Sequence, residues 1–167
     1  MLRLLLPGLL LLSPRQDDCP RGLPEPVLKK AVFPTARFQL NKARREGFET
    51  AQLGGGTRLS VRNWGCETYT LTLRFEGQLG KVPADARAWY RQAAALLRQT
   101  APGLDAAVHP AQAAAALTRA AARAAPALNQ ELDYGGTDIR EYVVLEKARR
   151  VGSHGYDLAV TLSIGPL

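Results

Sequence analysis

From Thr68 to Glu76 the side chains alternate. Tyr69, Leu71, Leu73 and Phe75 are apolar, while Thr68, Thr70, Thr72, Arg74 and Glu76 between them are polar. A repeat of two is that of a pleated strand, whose successive side chains point to opposite faces. Threonines on one side and aromatic or branched residues on the other both suit a half-buried sheet surface. One such strand cannot shelter its own apolar side, so the rest of the chain must supply neighbours and a cover.

The neighbours lie on both sides in sequence. Residues 37–41 alternate weakly, residues 48–53 form a second strand, and Leu59 and Val61 alternate with Arg58, Ser60 and Arg62 in a third. Gly54, Gly55 and Gly56 join the second to the third. A phosphate-cradling loop requires a helix directly after its glycines. A period-two segment follows here instead, so the glycines read as a hairpin turn. Near the C-terminus, residues 139–147 are apolar on both faces in their middle, the mark of an interior strand. Tyr156, Leu158, Val160, Leu162 and Ile164 then alternate with Asp157, Ala159, Thr161 and Ser163.

The cover is helical. Pro83 suits a first turn and Asp85 favours a helix N-terminus. Ala86, Trp89, Tyr90, Ala93, Leu96 and Leu97 follow at helical spacing, and Pro102 with Gly103 ends the run. A second helix starts near Pro110. Its alanines at 113, 116, 120 and 124, with Leu117, give high helix propensity but little apolar area, which predicts the more loosely held of the two. The fold class is therefore α+β: a twisted antiparallel sheet of about five or six strands, with helices over about 83–100 and 110–125 packed on one face. The order is strands, helices, strands. Tyr69, Leu71, Leu73, Phe75, Tyr156, Leu158, Val160 and Leu162 should meet Trp89, Leu96 and Leu97.

The N-terminus addresses a compartment. Arg3 precedes a short apolar run over residues 4–12, as in a secretory signal peptide, here residues 1–16. The run is shorter than the roughly 20 apolar residues of a membrane helix, so no stable span is expected after leader removal. The residues before Cys19 do not form a lipoprotein box. A proline-punctuated stretch, residues 17–35, reads as an extended arm, and residues 36–167 as one α+β domain. The chain is accordingly expected to be exported, either periplasmic or secreted. Cys19 and Cys66 are its two cysteines, and in an exported protein they are candidates for a disulfide tying the arm to the central strand.

Chemistry is harder to find. The formal charge is +7, which invites an acidic partner, but the basic residues are scattered over several segments. Nucleic-acid binding needs a continuous basic face with stacking aromatics or a groove-sized helix, and neither is visible. The cysteine spacing matches no zinc motif, and Asp133 to Asp138 lacks the ligand spacing of a calcium loop. No metal or cofactor is expected. There are two histidines. His109 precedes a helix start, and His154 sits in a glycine-flanked turn beside Ser153. That turn does not match a nucleophile elbow. The favoured reading is an exported, non-enzymatic binding domain that recognises a protein, a peptide or an acidic envelope polymer. Its surface would be the uncovered sheet face, through Thr68, Thr70, Thr72 and Arg74, with Trp64 at the edge. The alternative is a small hydrolase or thiol enzyme using Cys66 or Ser153 with a histidine.

Overall fold

The computed structural model describes residues 19–123 and 126–166. The proposed signal peptide, residues 1–16, lies outside them, as does the expected tail of the second helix at 124 and 125. The molecule is α+β, built on one antiparallel sheet of seven strands rather than five or six. In chain order these are β1 (Arg37–Asn41), β2 (Glu46–Leu53), β3 (Thr57–Trp64) and β4 (Tyr69–Gln78), then β5 (Glu131–Gly135), β6 (Glu141–Val151) and β7 (Gly155–Ile164). Between β4 and β5 come α1 (Ala86–Thr100) and α2 (Pro110–Ala122).

The strand beyond the expected number is β5. It has five residues and sits at the edge of the sheet, so its alternation of Glu131, Leu132, Asp133 and Tyr134 is brief. Asp and Gly there favour a turn reading on composition alone. Pairing with β6 overrides that preference.

The strand order is β1-β2-β3-β4-β7-β6-β5. Two antiparallel meanders therefore meet at β4 and β7, the last strand of each. The chain leaves β4 at the middle of the sheet and must reach the far edge before it can wind back. The helices make that crossing, on the face that carries Leu71, Leu73, Phe75, Leu158, Val160 and Leu162, every one of them fully buried. Trp89, Tyr90, Leu96 and Leu97 of α1 join the same core, with Ala113, Ala116, Leu117 and Ala120 of α2. Asp85 caps α1 by accepting a hydrogen bond from the Ala88 amide at 2.7 Å, so it precedes the helix instead of lying within its first turn.

The other half of this inner face is closed by the N-terminal segment. Val27, Leu28, Phe33 and Ala36 belong to the core. The buried carboxylate of Glu49 on β2 accepts hydrogen bonds from the Val27 and Leu28 amides at 2.6 and 3.1 Å. Backbone bonds from Lys29 to Gly103 and from Asp105 to Val27 then tie the segment to the link between the helices. Gly103 permits this contact, because a Cβ there would stand 2.3 Å from the Phe33 ring. Cys19 and Cys66 form a disulfide, their Cα atoms 5.2 Å apart, and anchor the segment's start beside the β3–β4 turn.

Candidate binding surface

No element among the described residues covers the second face of the sheet, and β4 and β7 form its floor. Strand register aligns Trp64, Thr70, Ser163 and Tyr142 in one row across β3, β4, β7 and β6. The next row is Arg62, Thr72, Thr161 and Val144. The floor hydroxyls bond to one another: Thr72 to Thr161 at 2.8 Å and Thr70 to Ser163 at 3.4 Å, while the Trp64 indole donates to Thr72 at 3.3 Å. The flanks are aromatic and basic. Arg62 lies over the Trp64 ring and Arg140 over the Tyr142 ring, each 4.7 Å from the centroid, held there by Glu46 on one side and by Glu131 and Asp133 on the other. The result is a shallow trough: a strip of mutually bonded hydroxyls, Thr70, Thr161 and Ser163 among them almost wholly buried, flanked by two arginine-topped aromatic side chains.

The residues singled out from sequence fall in and around this trough. Thr70 lies deep in the floor at 5% exposure, Thr72 is half-buried and Arg74 is exposed. Trp64 forms a flank. Thr68 stands just before β4, packed against Gly165, at the trough's end.

Farther along, the same face carries an ion cluster that sequence patterning did not reveal. The Asp157 carboxylate, 2% exposed, receives Arg74 at 2.9 Å, Lys147 at 2.6 Å and Arg149 at 3.1 Å. Arg74 also reaches Glu76 at 2.8 Å. Burial alone would push the Asp157 carboxyl up; the hydrogen bonds and charges of Arg74 and Lys147 outweigh it and hold the carboxyl below the ordinary range.

A bulge puts two of these cations in place. β6 pairs with β7 in regular register up to Leu145, then slips so that Lys147 and Arg149 face Ala159 and Asp157. Glu146 is the extra residue. Were Glu146 paired in regular register instead of bulged, strict alternation would turn Lys147 toward the core. The trace in the sequence is a change of phase: inward residues fall at Val143 and Leu145, then at Ala148.

On the covered side of the sheet, near the link between the helices, Arg21 donates to the Trp64 carbonyl at 2.6 Å and to the Asn63 side chain, and lies 4.0 Å from the Tyr69 ring centroid. Burial pushes the Tyr69 phenol up, with the Arg21 charge opposing it.

The catalytic candidates do not assemble. The Cys66 sulfur is committed to Cys19. Ser153 and His154 sit side by side in the exposed β6–β7 turn, where their carbonyls accept bonds from Arg150 and the Leu79 amide. His109 bonds Glu141 at 2.8 Å at the start of α2, on the helical side of the sheet. Among the described residues, no group of three or more His, Cys, Asp or Glu is arranged to hold a metal ion, and no helix is long and apolar enough to cross a membrane. Compared with known families, characterised proteins and solved structures, the chain matches none.

Proposed function

We propose that this is an exported, non-enzymatic binding protein whose uncovered sheet face recognises an acidic envelope polymer. The observation that carries the proposal is the trough itself, a strip of hydroxyls flanked by two aromatic side chains each topped by a guanidinium. The ring surfaces not covered by Arg62 and Arg140 offer stacking area, and the guanidinium donors not taken by Glu46, Glu131 and Asp133 are the groups that would meet acidic substituents. An extended chain can lie across β3, β4, β7 and β6 without entering a deep pocket. The disulfide supports an oxidising compartment, where such polymers are found. The overall charge of +7 favours approach to an acidic surface.

Co-sedimentation of the purified protein with insoluble envelope polymer is the direct test. Retention at low salt, lost when Trp64 and Tyr142 are both replaced by Ala, is the expected result. Retention that survives the double replacement would move the binding surface elsewhere. Free protein in every fraction, with capture only by defined peptides, would replace the polymer with a peptide ligand.

A further inference from the structure

The uncovered face continues past the trough onto β1, β2 and β3. A shallow cavity of about 280 Å³ lies there, lined by Thr35, Arg37, Thr50, Ala51, Gln52 and Arg58. Arg37 of β1 stands opposite Thr50 of β2, and Gln52 of β2 stands opposite Arg58 of β3. Glu49, Ala51 and Leu53 are buried, so Thr50 and Gln52, which alternate with them, point outward. The two arginines therefore share the outer face on either side of β2, two strand spacings or roughly 10 Å apart across the sheet.

The lining holds two cations and no acid. Arg62, Arg74, Arg140 and Arg149 on the same face each hold a carboxylate. The guanidiniums of Arg37 and Arg58 have no ion pair or hydrogen bond among the described residues. Glu76, opposite Arg58 on its other side, is bonded to Arg74 at 2.8 Å and does not line the cavity. The remaining polar groups are donors as well. The Thr35 hydroxyl accepts from the Gln52 backbone amide at 3.2 Å, which leaves its own proton to give. The Thr50 hydroxyl and the Gln52 side-chain amide add to the set. Converging donors with two unneutralised charges are the complement of a small, doubly charged acceptor.

We propose that this cavity binds a phosphate group between the Arg37 and Arg58 guanidiniums, with the Thr35 and Thr50 hydroxyls as further donors. A phosphate monoester carries about two negative charges at neutral pH and three acceptor oxygens, where a carboxylate carries one charge and two oxygens. Its oxygens can take donors arriving from separate strands, and the planar fork of arginine matches them in pairs. The site shares the trough's face but none of its residues, so it stands whether or not the trough holds a polymer.

Amide NMR of the full chain tests it, with inorganic phosphate titrated against sodium chloride at matched ionic strength. Saturable shifts centred on the amides of Arg37, Thr50, Gln52 and Arg58 are expected with phosphate only. Arg37→Ala and Arg58→Ala should each weaken binding about tenfold, with the Lys replacements intermediate. Arg44→Ala removes the same charge from the exposed β1–β2 turn, outside the cavity, and should leave the affinity unchanged. All three side chains are exposed, so the variants should melt together with the parent, which separates lost binding from lost fold. A second arm compares glycerol 1-phosphate with dimethyl phosphate. Preference for the monoester assigns a terminal phosphate as the source; equal binding of the diester assigns a phosphate linked on both sides, as within a polymer. Equal shifts in chloride, no saturable shift, an affinity untouched by Arg37→Ala and Arg58→Ala, or an equal loss in Arg44→Ala overturns the proposal.

Discussion

Leu73 sits in the central strand with no exposure, so Leu73→Ala removes buried apolar area and leaves a cavity. A urea melt should register a loss of about 2–5 kcal/mol. Glu49 acts by another means. Its carboxylate satisfies two backbone amides of the N-terminal segment inside the core, and Glu49→Ala strands both donors. That should cost about 1.5–3 kcal/mol, with Glu49→Gln intermediate because it keeps one acceptor oxygen. Asp157 makes a pH prediction. Its folded pKa lies below the ordinary value of 3.8, so in the window between the two the unfolded chain binds more protons. Its stabilisation is complete above the ordinary value and is lost as pH falls through the folded one. Acid melts should therefore show a shallower decline in Asp157→Asn than in the parent protein. Leu73 was legible from alternation because hydrophobic burial follows period. Glu49 and Asp157 were not, because their roles depend on partners distant in sequence: Leu28, 21 residues away, for one, and Arg74, 83 away, for the other.

Among the elements, the long amphipathic strands and α1 carry clear periodic signals, and the structure has them close to the expected bounds. β5 and the bulge in β6 are where local pattern reading fell short, for related reasons. A five-residue edge strand offers too few alternations to outweigh its Asp and Gly, and a bulge breaks the very period by which strands are recognised. The bulge yields a sharp prediction. Deleting Glu146 removes only the unpaired residue and leaves Leu145 opposite Val160 and Lys147 opposite Ala159 on the outer face, so the β6–β7 pair should survive with a change of about 1 kcal/mol or less, read by circular dichroism on heating. Of the helices, α2 buries mostly alanine, so its contacts are close but small. Its amides should exchange with solvent faster than those of α1, as hydrogen exchange will report.

For the whole molecule, the helices and the N-terminal segment divide the inner face between them, and the disulfide fixes where the segment begins. The bond closes a span of 47 residues, for which chain-entropy reasoning gives a stabilisation of about 4 kcal/mol. Reduction should lower the denaturation midpoint by a corresponding amount while leaving the sheet intact in the absence of denaturant. The order of the strands has a separate effect on how the molecule comes into being. Its central seam joins β4 to β7, and β7 is the last of the seven strands of this sheet to be synthesised. Until those ten residues emerge, β4 lacks one neighbour and β6 lacks its inner partner, so the nascent chain stays loose and open to proteases. A polypeptide that cannot close early is one that can still be threaded through a narrow pore after most of it has been made.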